Sequence, residues 1–114
     1  MNRQQFIIFK KEADRISSAL GLKDWDITIS LESIEDSPPV MADANCDYEG
    51  RGAHIRVNKD FEFSGTDEIK RTARHECIHI LLAEFAHLAR FRYITPPDLT
   101  VAEERICTVL EKIL

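Results

Sequence analysis

Residues 72–85 of the chain read TARHECIHILLAEF, and this segment decides how the rest of the sequence is interpreted. It sets His75 and His79 four residues apart, with Glu76 next to the first histidine. Positions four apart lie about 40° apart on an α-helix and one turn along it, so both imidazoles can reach one ion. The apolar residues that follow, up to Leu88, predict a helix that is apolar nearly all round and therefore buried.

The pattern H-E-x-x-H predicts a metal site that carries its own base. Two imidazole nitrogens suit Zn²⁺, which binds them at ~2.0–2.1 Å, whereas magnesium and calcium prefer oxygen ligands. Glu76 lies beside the two histidines, where its carboxylate can accept a proton from a metal-activated water. The alternative is an ordinary buried helix whose polar side chains find local hydrogen-bond partners. We favour zinc, because burying three such groups without partners is unfavourable and one bound ion removes that penalty.

A catalytic zinc site uses three protein ligands and keeps one position open for water. The metzincin pattern would supply the third as a histidine at position 85, but the chain has Phe85 there and Leu82 in place of the required glycine. Glu103, in the C-terminal segment, is in register with an apolar helical stripe formed by Leu99, Ile106, Leu110 and Ile113. A carboxylate on a helix face that is directed to the core is unusual unless it has a partner, such as a metal ion. We therefore predict a zinc site formed by His75, His79 and Glu103.

Three alternatives to this ligand set stay open. Glu104 replaces Glu103 if the apolar stripe is offset by one residue. His87 is a candidate only if the helix ends before it, because it lies about 120° around the helix from His75. Finally, Thr100 and Glu103 form a capping box, with no role in metal binding, if the last helix begins late.

The remaining segments predict an α+β fold with an N-terminal helix, a small antiparallel sheet of two or three strands, the buried HExxH helix and a C-terminal helix. Residues 6–20 carry apolar side chains at steps of three and four, and Gly21 follows as a left-handed stop. WDITISL and AHIRVNKDF alternate apolar and polar residues, as half-buried strands do, and MADANCDY between them is a weaker strand candidate. Thr66 is predicted to cap the HExxH helix, and Thr95 with Pro96 to begin the last one.

The composition excludes several classes of protein. The 114 residues predict a single domain, 1–114, and the net charge of -5 with no basic arm argues against a nucleic-acid partner. No apolar run approaches the ~18 residues of a membrane span, and the N-terminal segment does not read as a signal peptide. Three cysteines without CxxC spacing predict neither a disulfide framework nor a zinc ribbon, so we expect a reducing, cytoplasmic setting.

The motif HECIH, followed by a glutamate on a later helix, resembles the gluzincin branch of the zincin metallopeptidases. The order of helix, small sheet, HExxH helix and glutamate helix is similar to that of minimal members, which are small phage-type metallopeptidases distantly like the ImmA/IrrE and SprT-like families. The resemblance covers most of the chain in outline, but only the HExxH motif is specific. It implies a zinc-dependent peptidase in which His75, His79 and Glu103 hold Zn²⁺, Glu76 is the general base, and a peptide or protein is the substrate.

The resemblance also implies that the last strand before the HExxH helix, AHIRVN, borders the cleft and pairs with an extended substrate. No residue can be matched to the tyrosine or histidine that stabilises the oxyanion in larger relatives, and Tyr48, Tyr93 and His54 are the candidates. A rival hypothesis is a zinc-stabilised binding or regulatory module with a vestigial peptidase site and no turnover. A third is a helix and sheet scaffold without a metal.

Overall fold

The computed structural model describes residues 1–91 and 93–113. In these ranges the chain forms four helices and three strands, an α+β arrangement with helices at both ends, as the sequence predicts. The elements in chain order are α1 (Arg3–Ala19), β1 (Asp26–Glu32), β2 (Ala42–Asp47), β3 (Gly52–Asn58), α2 (Thr66–Leu81), α3 (Ala83–Ala89) and α4 (Pro96–Glu111). The HExxH motif therefore lies in the second half of α2.

The three strands form one mixed sheet in the order β1–β3–β2. β1 runs parallel to β3, and β2 runs antiparallel to it, so the prediction of an antiparallel sheet is wrong for the β1–β3 pair. Residues 33–41 carry the chain to the far edge of the sheet, and the short turn at 48–51 then returns β3 between the other two strands. A parallel pair thus forms without a crossover helix, and β1 and β2 are both edge strands.

The central strand β3 contributes the most deeply buried strand residues. Ala53, Ile55 and Val57 are 5%, 0% and 0% exposed, which confirms the alternation in the sequence. They share one core cluster with residues of α1 and α2, including Phe9 and Cys77. Because side chains alternate along a strand, the residues between them face the opposite side of the sheet, where they are polar. The helices therefore cover one face of the sheet.

α1 is the amphipathic helix that the sequence predicts. A capping box closes its start, because Gln5 N donates to Asn2 Oδ1 at 2.9 Å and Asn2 N donates to Gln5 Oε1 at 3.0 Å. Gly21 follows the helix with φ of 72°, in the left-handed region that glycine adopts without strain. The chain thus turns towards β1 at the predicted residue.

α2 is buried along one face rather than all round. Cys77 and Ile80 are 0% and 1% exposed, whereas Ile78 is 40% exposed and His75 and His79 are also exposed. The prediction of a fully buried helix is therefore wrong. One side of α2 is exposed because α1 and the sheet contact only the other side. Among the described elements, nothing covers the side that carries the histidines.

The ends of α2 also differ from the prediction. Thr66 is the first residue of the helix, and Gly65 precedes it as the N-cap residue, so Thr66 is not the cap. Asp67 and Glu68 occupy the first turn, where the helix dipole favours negative charge, as predicted. The helix ends at Leu81 and α3 begins after one residue, so the segment predicted as one helix forms two.

α4 begins as predicted, with Thr95 as its N-cap followed by proline. Asp98 N donates to Thr95 Oγ1 at 3.4 Å, and Thr95 N donates to Asp98 Oδ2 at 3.1 Å. The alternative capping box of Thr100 and Glu103 is wrong, because both residues lie inside the helix. The predicted helix extended to residue 114, which lies outside the described residues.

A buried carboxylate joins α1 to the turn of α2 that carries the motif. Glu12 is 6% exposed and accepts hydrogen bonds from Arg15 Nε at 2.8 Å, Arg15 Nη2 at 2.9 Å and Arg74 Nη1 at 2.8 Å. The two hydrogen bonds from Arg15, together with the one from Arg74, lower the pKa of Glu12 to about 2. Because Arg74 immediately precedes His75, this contact helps to fix the position of the first histidine.

We expect Glu12→Gln to lower the free energy of unfolding by about 1–3 kcal/mol at neutral pH, because a charged, hydrogen-bonded acceptor is lost. Folding lowers the pKa of Glu12 from 4.5 to about 2, so its stabilisation is complete above 4.5 and disappears as the pH falls towards 2. Urea denaturation at several pH values should therefore show the gap between variant and wild type closing below 4.5. A pH-independent gap would contradict this account, and Glu62→Gln, at an exposed acid, is the matched control.

Candidate metal centre

α2 places the two histidines of the motif side by side. His75 Nε2 and His79 Nε2 are 3.2 Å apart, and the ring centroids are 4.8 Å apart with the ring planes at 82°. Two nitrogen ligands at ~2.0–2.1 Å from a tetrahedral zinc ion are about 3.3–3.4 Å apart. The separation of the two nitrogens therefore fits two ligands of one zinc ion, and both side chains are exposed to solvent.

Glu76 follows His75 and turns towards the interior. Its side chain is 5% exposed, and its Oε2 has no hydrogen-bond partner among the described residues. Burial raises the pKa of Glu76, while the neighbouring His75 opposes the rise. A buried carboxylate without a partner is unfavourable, so this oxygen contributes nothing to stability and is available to a proton or a ligand.

Two cavities flank the histidine pair along the edge strand β2. The larger, about 420 Å³, is called the Arg71 cavity and is lined by Pro39, Val40, Met41, Ala42, Arg71, Thr72, His75 and Glu76. The smaller, about 220 Å³, is called the His79 cavity and is lined by Ala44, Asn45, Cys46, Tyr48, His79, Ala83, Ala86, His87 and Arg90. Small side chains at every second position of β2 face these cavities, and they leave space between the strand and α2.

β2 also has a free main-chain edge. Asn58 N donates to Met41 O at 2.9 Å, and hydrogen-bonded pairs alternate along an antiparallel ladder. The odd-numbered residues of β2 therefore bond to β3, and the even-numbered ones, 42, 44 and 46, direct their N–H and C=O groups to the open edge. The expectation that AHIRVN pairs with a substrate is wrong, because this strand is β3, which is paired on both sides.

Glu103 is not brought to the histidine pair. It is exposed on α4, as is the alternative Glu104, and α4 lies against the side of α2 and α3 that carries Leu81 and Glu84. Leu81 is two residues beyond His79, about 200° around the helix, so α4 and the histidines lie on opposite sides of α2. Among the described residues, no three histidine, cysteine, aspartate or glutamate side chains are grouped closely enough to hold one metal ion.

The rotation of α4 about its axis explains the position of Glu103. Ala102 is 1% exposed, and Arg105 Nη1 donates to both carboxylate oxygens of Glu84 at 2.6 Å. The stripe that faces the protein is therefore centred near Ala102 and Ile106, and Glu103 lies at its border.

His87, another alternative ligand, has partners of its own. Its Nε2 is 3.3 Å from Glu49 Oε1, and its ring centroid is 5.2 Å from that of Tyr48 and 4.6 Å from that of Phe91. α2 does end before His87, as this alternative required, and His87 lines the His79 cavity. Within residues 1–91 and 93–113, however, it does not complete a three-residue group with the pair.

The three oxyanion candidates lie in different places. The hydroxyl of Tyr48 donates to Glu84 Oε2 at 2.8 Å, and the ring lines the His79 cavity. His54 is on the opposite face of the sheet, where its Nε2 is 2.7 Å from Ser30 Oγ, and Tyr93 is 84% exposed. Tyr48 is therefore the candidate that lies beside the histidines.

Two residues at the site were missed in the sequence. Arg71 lines the larger cavity, and its position four residues before His75 was a readable signal, because it continues the same helical row. Cys46 lines the smaller cavity, where burial and the charge of Glu76 raise the pKa of its thiol. The signal for Cys46 was the alternation of small residues in MADANC, which places it on the inward side of β2.

Comparisons with protein-family models, with curated proteins and with solved structures find no match to this chain. The gluzincin-like resemblance of the motif therefore stays a prediction.

We expect zinc to bind and stabilise the protein through the histidine pair. At a free zinc concentration 100-fold above the dissociation constant, the free energy of unfolding should rise by about 2.7 kcal/mol. His75→Ala and His79→Ala should abolish this rise in thermal or urea denaturation. His87→Ala, at the alternative ligand, and His54→Ala, on the opposite sheet face, should keep it. A rise that persists in both motif variants would show that zinc binds elsewhere.

We expect Glu76→Gln to stabilise the chelator-treated protein by about 1–3 kcal/mol at neutral pH, because it removes a buried charge that has no partner. Glu84→Gln is the matched control. Its carboxylate is also largely buried, at 17% exposure, but accepts hydrogen bonds from Tyr48 and Arg105, so its loss should destabilise the protein. Urea denaturation in EDTA measures both values, and equal destabilisation by the two variants would contradict this assignment.

Proposed function

We propose that the chain is a zinc-dependent peptidase, in which His75 and His79 hold the ion and Glu76 is the general base. The observation that carries the proposal is a pair of imidazole nitrogens 3.2 Å apart, beside a buried carboxylate oxygen without a partner. Each feature alone has an ordinary explanation. The two nitrogens could share a hydrogen bond, and the carboxylate could be a buried acid of the core. Their combination in one helical turn has the parts that metal-assisted hydrolysis requires.

The chemistry divides between the ion and Glu76. Zinc, when bound, supplies Lewis-acid polarisation of the scissile carbonyl and a water molecule of lowered pKa. Glu76 accepts the proton from the attacking water and later donates it to the leaving amine. Burial raises the pKa of Glu76 above its ordinary value, which is the direction that favours proton uptake from water.

The substrate is proposed to be a peptide or an unfolded protein segment in extended conformation. β2 offers the N–H and C=O groups of residues 42, 44 and 46 along its free edge, and an added strand would bond to them. The small side chains of these residues face the two cavities next to the histidines. A peptide at this edge would run past His75, Glu76 and His79.

The exposure of the histidine pair suits an ion with an open position, and the described residues supply two of the three protein ligands that a catalytic site uses. A structural zinc site is closed by four protein ligands, whereas a catalytic site keeps an open position. The described residues offer the histidine pair on a solvent-exposed surface, so open positions are present. Glu103 as the third ligand stays a prediction, and its place on the far side of α2 lends it no support. The rival, a zinc-stabilised binding module without turnover, shares the histidine pair but gives no role to Glu76.

We also propose a cytoplasmic setting. Cys46, Cys77 and Cys107 are all free, and burial raises the pKa of Cys77 to about 12, so that thiol stays protonated. Free thiols are typical of reducing compartments. In the part of the chain that the structure describes, no helix has both the length and the apolar character needed to cross a membrane.

Cleavage of an unstructured peptide library tests the proposed activity. Zinc-loaded wild type should generate new amino termini, and Glu76→Gln should reduce kcat/KM by at least about 100-fold, since general acid–base catalysis typically contributes 10²–10⁴-fold. Glu62→Gln, the same substitution at an exposed acid, is the control. Zinc retention should be equal in Glu76→Gln and wild type. Identical product profiles from wild type and Glu76→Gln would exclude the peptidase hypothesis and favour the zinc-stabilised binding module.

A further inference from the structure

We propose that the Arg71 cavity binds a carboxylate group of the peptide substrate, carried by a residue next to the scissile bond as its side chain or as the chain terminus. The inference rests on the proposed peptidase function and adds its substrate class, which is acidic peptides. It depends on the charge, the walls and the position of this cavity.

Arg71 has no counter-ion in the described part of the chain. No hydrogen bond or ion pair joins its side chain to another described residue. Arg15, Arg56, Arg74 and Arg105 each bond to a carboxylate, whereas Arg71, like Arg90 in the His79 cavity, has no such bond in the described part of the chain. A guanidinium group can form two parallel hydrogen bonds with a carboxylate, so an unpaired arginine at a cavity mouth selects for that group.

Arg71 lies close to the proposed chemistry. It precedes His75 by four residues and His79 by eight, so the three side chains form one row along α2. The cavity that Arg71 lines also contains His75 and Glu76. A group held by Arg71 would therefore belong to a residue adjacent to the bond that Glu76 acts on, not to a distant part of the substrate.

The opposite wall of the cavity is apolar. Pro39, Val40, Met41 and Ala42 form it, and Met41 Sδ lies 3.4 Å from Thr72 Oγ1, which places the methionine next to α2. A volume of about 420 Å³ is ample for one side chain. A glutamate side chain matches this arrangement, because its methylene groups can contact the apolar wall while its carboxylate reaches Arg71.

Glu76 is the acid that faces the same cavity, and its charge opposes a carboxylate. It is 5% exposed, whereas Arg71 is exposed at the mouth, so an entering carboxylate meets the cation first. A zinc ion held by His75 and His79 would further offset the charge of Glu76. The competing occupant is a lysine side chain attracted by Glu76, and a cleavage test separates the two.

Peptides that differ only by glutamate or glutamine at one position next to the cleaved bond provide the test. With zinc-loaded wild type, kcat/KM should be about tenfold higher for glutamate at one of these positions. Arg71→Gln should bring the ratio close to one, and Arg71→Lys should keep part of it. Lys70→Gln, an equal charge change at a neighbouring exposed position outside the cavity, should leave the ratio unchanged. Equal rates in wild type, or a preference for lysine, would overturn the proposal.

Binding separates the failure of this inference from the failure of the proposed function. Fluorescence anisotropy with zinc-loaded Glu76→Gln protein, which should not cleave, measures the affinity of the same peptides. If glutamate peptides bind more tightly and this depends on Arg71, but wild type does not cleave them, the carboxylate site in the Arg71 cavity is supported and the peptidase proposal is excluded. Cleavage without that preference keeps the peptidase and overturns the cavity assignment. Amidated peptides show which carboxylate binds: amidation removes the effect of Arg71 only if the chain terminus is the bound group.

Discussion

The rotation of α2 about its own axis is the constraint on which the site depends. Cys77 and Ile80 are sealed in the core between α1 and the sheet, and Arg74 is tied to the buried Glu12 of α1. With the helix held in this way, a spacing of four residues must place His75 and His79 together at the open side. The same rotation turns Glu76, the residue after His75, inwards without a partner among the described residues. The apolar packing of one face thus creates both the histidine pair and the unpartnered carboxylate.

The sequence predicted those parts of the structure that depend on local spacing. The strand alternation at Ala53, Ile55 and Val57, the left-handed Gly21 and the Thr95 cap were all predicted from residues close together in the chain. Strand order was not predictable in this way, because short connections allow either a sequential sheet or the observed β1–β3–β2 order. As a consequence, β2 and not the strand AHIRVN has the free edge beside the histidine pair.

The rotation of α4 shows a second limit of sequence patterns. Its apolar stripe was read from large residues, and on that reading Glu103 faces the core. The structure centres the helix contact near Ala102, which adds little to an apolar pattern although it is 1% exposed. The ion pair of Arg105 with Glu84 gives the polar side of that contact. Ala102 and Arg105 therefore mark the side of the helix that faces the protein, and a small or charged residue has little weight in a pattern read from large apolar ones.

Zinc held between His75 and His79 is the central claim, and one crystallographic measurement tests it most directly. An anomalous difference map at the zinc absorption edge, from crystals of protein loaded with one equivalent of zinc, locates the ion without assumptions about activity. The account predicts a peak at ~2.0–2.1 Å from Nε2 of both histidines. A map with no peak between the two rings, or with its peak at residues outside α2, would contradict the account.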